Sequence, residues 1–124
     1  KRASFEIEPL LNQADSNLRM LADRAGGDSV TIIMFLLELI IQEYSIAITD
    51  GRIADIGEYQ DAYGFHLVAM MHAKMLPEEI RSKVTKSLSD LGSLWMDGPK
   101  PVKNPTSKDL MIASVNSIMD LLAQ

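Results

Sequence analysis

Apolar residues recur at the three- and four-residue spacing of helices along five segments of the chain. The first segment predicts a helix from about Glu8 to Arg24, which two glycines then end. The second predicted helix begins at a cap formed by Asp28 or Ser29 and runs to about Thr49. Its stretch 30–41 is the most apolar part of the chain. Because a membrane span needs roughly 20 residues, we expect this stretch to be a core helix.

Three further helices follow in the second half of the chain. Asp55 is the predicted cap of the third helix, which reaches about Lys74. Pro77 opens the fourth helix, and Thr106 or Ser107 caps the fifth. The predicted inward faces of the fourth and fifth helices are Ile80, Val84, Leu88, Leu91 and Trp95, and Met111, Ile112, Val115, Ile118, Met119 and Leu122.

One linker interrupts this pattern. Residues 97–105 contain three prolines and a glycine, so we expect them to lack regular structure. The alternating pattern of a β-strand is not found, and the other connections are short, which favours antiparallel neighbours. The sequence therefore predicts an all-α fold, an up-and-down bundle of about five helices, as a single domain over residues 1–124.

Composition and charge exclude several classes of function. The net charge of -5 argues against nucleic acid as a partner, since phosphate binding requires a basic surface. The absence of cysteine excludes disulfides, thiolate metal sites and a cysteine nucleophile. No Ser/His/acid spacing typical of a hydrolase is present, so we expect a non-enzymatic protein. The chain begins at Lys1 rather than Met, which is typical of a processed protein, a trimmed chain or an excised domain, and this leaves a preceding signal peptide or neighbouring domain open.

Two glutamates on the second predicted helix have different environments. Glu38 falls on a polar stripe with Gln42, which predicts a solvent-exposed position. Glu43 falls on the opposite side, within an apolar arc that includes Ile40 and Ala47. A carboxylate in such a position must be paired, hydrogen-bonded, protonated or bound to a metal ion. Glu43 is therefore the first candidate functional residue.

The turn after the second helix predicts acidic neighbours for Glu43. Glu43 lies eight residues before Gly51 and Glu58 lies seven residues after it, so an antiparallel helix pair places them at similar heights. Asp61 follows Glu58 by three residues and flanks the same face. Carboxylates from two adjacent helices form hard-metal sites in helical bundles. We therefore identify Glu43, Glu58 and Asp61 as candidate metal ligands.

A purely structural interpretation of the same acids stays open. Glu58 is also the third residue of a capping box that begins at Asp55. Glu43 has Arg52, Lys74 or another base as an alternative ion-pair partner, or a tyrosine as a hydrogen-bond partner, and Asp61 has solvent. The Glu-x-x-His motif of di-iron bundles is absent, so we do not expect a di-iron oxidase.

Other side chains near these acids are expected to have structural roles. Trp95 is expected to anchor the core. Three tyrosines near the turn should pack with their hydroxyls close to the surface: Tyr44, Tyr59 and Tyr63. Three methionines beside His72 should fill core space rather than bind a soft metal ion: Met70, Met71 and Met75.

The hairpin sequence resembles a known pattern over about residues 39–66. It reads Glu43-Tyr44, Ala47, Asp50-Gly51-Arg52-Ile53, Glu58-Tyr59-Gln60-Asp61 and Phe65. This is similar to the extracytoplasmic N-terminal module of bacterial iron-permease proteins, in which an acidic-Tyr pair, Ala, Asp-Gly-basic-aliphatic, Glu-Tyr-x-acidic and an aromatic residue follow one another. The resemblance places the family's pattern on Glu43, Tyr44, Glu58, Tyr59 and Asp61.

The resemblance implies a periplasmic helical domain associated with iron uptake. The permease's transmembrane helices and its Arg-Glu-x-x-Glu iron motifs do not occur in this chain. The leading hypothesis is therefore an accessory module that binds or senses a metal cation, iron or another hard cation, for a membrane permease or uptake component. The alternative hypothesis is a metal-free protein–protein interaction module in which the same acids fix the hairpin.

Overall fold

The computed structural model describes residues 28–124, and the predicted helix from Glu8 to Arg24 lies outside the described residues. The described part contains four helices and one two-stranded hairpin. In chain order they are α1 (Ser29–Ala47), β1 (Ile48–Thr49), β2 (Arg52–Ile53), α2 (Ile56–Ala73), α3 (Glu78–Gly92) and α4 (Lys108–Ala123).

The four helices form one bundle around a continuous apolar core. Each helix packs against the next along the chain, and α4 packs back against α1, which closes the ring. The predicted inward faces of α3 and α4 are buried or half-buried, and Trp95 is buried, as predicted. The predicted all-α bundle is therefore confirmed.

Local signals explain where the helices begin. The Asp28 carboxylate accepts a hydrogen bond from the Val30 amide at 3.1 Å, and Ser107 caps α4 through the Leu110 amide at 3.2 Å. Asp55 caps α2, and Pro77 precedes α3 without a side-chain cap. These boundaries agree with the predicted ones.

The connection from α1 to α2 differs from the prediction. α1 ends at Ala47 rather than near Thr49, because the next residues pair in a short antiparallel ladder with Ile48 opposite Ile53. The turn between the strands has positive φ at Asp50 (52°) and Gly51 (74°), as two-residue hairpins require. The expectation of no strand was therefore wrong at this hairpin, since two-residue strands are too short to show alternation.

α1 is the most apolar of the four described helices. With 19 residues and a mean hydropathy of 1.7, it is long and apolar enough to cross a membrane. The expectation that this helix is too short for a membrane span, which considered only stretch 30–41, was therefore wrong. In the bundle Ile33, Leu37 and Ile40 are fully buried, and the helix packs against α2 and α4. These contacts are those of a core helix.

The linker 97–105 contains neither helix nor strand, as predicted, and it is fastened to the bundle. Gln60 Nε2 donates to the Pro99 carbonyl at 3.3 Å. Thr106, at the end of the linker, accepts a 2.6 Å hydrogen bond from the Tyr44 hydroxyl and donates a 2.7 Å bond to the Leu94 carbonyl. The linker therefore follows one fixed path across α1 and α2.

Candidate metal centre

The α1–α2 hairpin brings three carboxylates together beside its turn. Glu43 lies one turn before the end of α1, Glu58 lies in the first turn of α2, and Asp61 lies one turn further along α2. Each offers a carboxylate oxygen within 4.8 Å of the other two, and all three side chains are half-buried. The turn-centred spacing thus places the predicted residues in one cluster, whereas metal binding by them stays a prediction.

The position of Glu43 follows from the helix phase that was predicted for it. Its chain neighbour Tyr44 and the following Ala47 are fully buried against α2, so Glu43 stands at the edge of the packed face. Glu38, on the polar stripe, is exposed as predicted. The contrast between the exposed Glu38 and the half-buried Glu43 agrees with the predicted polar stripe and apolar arc of this helix.

Glu58 is the electrostatic centre of the cluster. Partial burial raises the pKa of the Glu58 carboxyl, and the hydrogen bond and negative charge of Glu43 raise the pKa further. A hydrogen bond that the Glu58 carboxylate accepts from Asp61 acts in the opposite direction and lowers the pKa, and Asp55 adds a smaller repulsion. The ionised form of Glu58 is therefore disfavoured by its acidic neighbours.

The capping-box interpretation of Glu58 is only half satisfied. Asp55 Oδ1 accepts a hydrogen bond from the Glu58 amide at 3.0 Å. The reciprocal bond is not made, because the Asp55 amide donates to the Ala47 carbonyl at 3.2 Å. The Glu58 carboxyl instead contacts Glu43 and Asp61. The Glu58 amide therefore takes part in the helix cap, whereas the Glu58 carboxyl is part of the acidic cluster.

The ion-pair interpretation of Glu43 has no support in the described part of the chain. Neither Arg52 nor Lys74 forms a salt bridge with it there. The contact of Glu43 within the cluster is its hydrogen bond with Glu58. In the described part of the chain, neither of the two predicted basic partners therefore neutralises the charge of Glu43.

Behind the cluster lies a buried aromatic group, and here the predicted tyrosine positions were wrong. The Tyr44 hydroxyl is buried on the Thr106 carbonyl, and the Tyr59 hydroxyl is buried without a hydrogen-bond partner among the described residues. Burial raises the pKa of both phenols, and the Asp97 charge helps to raise that of Tyr59 to about 12. Trp95 contacts Tyr44 edge-on, with ring centroids 5.9 Å apart.

His66 is a core residue that sequence reasoning did not identify. Its Nε2 lies 2.8 Å from the Leu88 carbonyl, and its ring lies 5.5 Å from that of Trp95. Gly92 makes room for it, because a Cβ at position 92 would lie 2.5 Å from His66 Cε1. The available signal was Gly92 itself, but a glycine at the end of a helix is also a common terminator.

The methionine interpretation was also partly wrong. Met70 is half-buried and packs against the core, as predicted. Met71 and Met75 are instead 54% and 62% exposed, at the end of α2 and just beyond it. Core filling therefore describes the first methionine and not the other two.

Comparison with known proteins identifies the bundle. The family model described as the iron permease-associated 4-helix bundle domain matches residues 27–123. Searches of curated proteins and of solved structures gave no significant match. The matched range contains all four helices of the described structure and all three carboxylates of the cluster. The chain belongs to the iron permease-associated four-helix bundle family.

Proposed function

We propose that this domain is a non-enzymatic extracytoplasmic module that binds or senses a metal cation, iron in the first place, for a membrane permease. The observation that carries the proposal is the cluster of Glu43, Glu58 and Asp61, with carboxylate oxygens within 4.8 Å of one another. The family's association with iron permeases supports iron as the cation and a permease as the partner.

The donor set determines which cations suit the cluster. All three candidate ligands offer carboxylate oxygens, which hard cations prefer and soft ones do not. Two ligands come from α2 and one from α1, so a bound cation would join the two helices of the hairpin. Occupancy of the site would thereby be coupled to the packing of the bundle, which is the property that a sensing module needs.

Protonation of Glu58 gives this site a pH dependence. Because its pKa is raised, the carboxyl retains a proton more readily than an ordinary glutamate does. A cation needs the ionised form, so binding should tighten as the pH rises through the raised pKa of Glu58.

A metal-free interaction module is the second candidate, and one observation favours it. The hydrogen bond between Glu43 and Glu58 joins α1 to α2 without any cation. If this is its whole role, the acids fix the hairpin and a partner protein binds elsewhere on the bundle.

Thermal melting separates the two candidates. We propose melting the parent, Glu43→Gln and the control Glu38→Gln with ferrous, manganous or calcium ions added anaerobically. Glu38 lies on the same helix and is exposed, so its variant removes the same charge outside the cluster. Binding to the folded state should raise the melting temperature of the parent and the control but not that of Glu43→Gln. A parent that no cation stabilises would refute metal binding and leave the interaction module.

A further inference from the structure

A cleft lies between the α1–α2 hairpin and the linker. It has a volume of about 440 Å³. On the hairpin side, one wall is formed by Arg52, Ile53 and Ile56. On the linker side, the other wall includes Val102, Lys103 and Asn104. This size falls in the range of small-molecule sites, which bury a hydrocarbon part and orient a few polar groups.

The charge of this cleft is opposite to that of the protein. Its lining includes two cations and no carboxylate, although the chain carries a net charge of -5. In the described part of the chain, neither Arg52 nor Lys103 has an ion-pair or hydrogen-bond partner on its side chain. The nearby Asp55 carboxylate is engaged with the Glu58 amide at 3.0 Å. The positive charge of the cleft is therefore available to a ligand.

The walls define the chemistry of that ligand. Ile53, Ile56 and Val102 provide an apolar surface, and Ile56 is 47% exposed. Arg52 presents a guanidinium that pairs with a carboxylate through two parallel hydrogen bonds, and Lys103 adds a second point charge. Asn104 offers an amide that both donates and accepts hydrogen bonds.

We propose that this cleft binds a small organic anion with two or more carboxylates on a short hydrocarbon skeleton. Arg52 and Lys103 each hold one carboxylate, and the skeleton lies on Ile53, Ile56 and Val102. This inference does not rest on metal binding by the acidic cluster, because it uses different residues and a ligand of opposite charge.

The test is an NMR titration of the whole domain with propane-1,2,3-tricarboxylate. The protein is stripped of metal on a chelating resin, since a soluble carboxylate chelator would compete for the cleft. We expect saturable shifts of amides at 52–56 and 101–104, which weaken as salt is added. Inorganic phosphate is titrated in parallel and should bind more weakly, because it cannot use the apolar walls.

Three variants make the result specific. Arg52→Gln and Lys103→Gln should each weaken binding by about tenfold, as expected for the loss of one charge-assisted contact. Lys100→Gln is the control, because Lys100 is an exposed linker lysine outside the cleft lining. Equal weakening by Lys100→Gln would show a general charge effect and overturn the proposal. Absence of saturable shifts, or phosphate binding as tightly as the tricarboxylate, would also overturn it.

Discussion

At the scale of single residues, the position of the His66 ring leaves no room for a side chain at Gly92. A Cβ at position 92 would lie 2.5 Å from His66 Cε1 and 2.7 Å from Nε2. His66 Nε2 also lies 2.8 Å from the Leu88 carbonyl, and its ring packs against Trp95, so the ring cannot move away freely. We expect Gly92→Ala to destabilise the domain by about 1–3 kcal/mol, measured by urea unfolding.

The cause of that destabilisation is open to a double-mutant test. In a His66→Ala background the crowding partner is gone, so Gly92→Ala should have little further effect. If the two substitutions simply add, the Gly92–His66 contact is not the cause and this explanation is wrong.

The same histidine should make stability depend on pH. Burial lowers the pKa of His66, and the hydrogen bond with Leu88 only partly opposes this. Below its ordinary pKa of about 6.5 the unfolded chain therefore takes up a proton that the folded chain does not. The unfolding free energy should fall as the pH decreases from about 6.5 to the folded pKa, by at most about 1.4 kcal/mol per pH unit, and then level off.

Glu58 contributes with the opposite sign, which determines the design of the experiment. Its raised pKa means that the folded state gains stability as the pH falls through that pKa towards the ordinary value for glutamate. Unfolding curves are therefore measured in a Glu58→Gln background. The slope should disappear in His66→Asn and persist in His72→Asn, the only other histidine. A slope that survives His66→Asn would contradict the assignment.

At the scale of elements, the hydrogen bond from the Tyr44 hydroxyl to the Thr106 carbonyl fastens the end of the linker to α1. Tyr44→Phe removes the 2.6 Å bond to the Thr106 carbonyl and leaves a buried acceptor unsatisfied. We expect it to lower the unfolding free energy by about 1–3 kcal/mol. Tyr59→Phe is the matched control, since the Tyr59 hydroxyl is buried without a hydrogen-bond partner among the described residues. Equal losses in the two variants, measured by chemical denaturation, would argue against the linker contact.

The same elements show what the sequence could predict. Caps such as Asp28 and Asp55 act over two or three residues, so the helix starts were predictable. The phase of Glu43 and its spacing from Glu58 around Gly51 predicted their proximity, because a short turn forces two helices side by side. The two-residue strands were missed, since their pairing depends on backbone geometry at Asp50 rather than on an alternating pattern.

Contacts between distant segments were beyond sequence reasoning. Tyr44 meets Thr106 across 62 positions of the chain, and His66 meets Leu88 across 22. Both contacts depend on the path of the linker and the packing of α3, which no local pattern encodes. The tyrosine hydroxyls were therefore assigned to the surface, although two of them are buried. The cleft at Arg52 and Lys103 was missed for the same reason.

At the scale of the whole molecule, the first two helices and their turn carry one acidic cluster and contribute to one basic cleft, which are lined by different residues. The acidic cluster joins α1 to α2, and the basic cleft joins the hairpin to the linker. Ligands of opposite charge would therefore act on adjoining parts of one hairpin. Family membership places this bundle among the iron permease-associated helical domains.

Glu43, Glu58 and Asp61 should together bind a hard cation. Calorimetric titration of the domain with ferrous ion, carried out without oxygen, measures this binding directly. The parent and Glu38→Gln should bind about one ion per domain, and binding should tighten as the pH rises, because the cation needs the ionised form of Glu58. Glu43→Gln, Glu58→Gln and Asp61→Asn should each lose binding, and their effects should not add because the residues share one site. Saturable one-to-one binding that survives Glu43→Gln, or no binding by the parent, would contradict the claim.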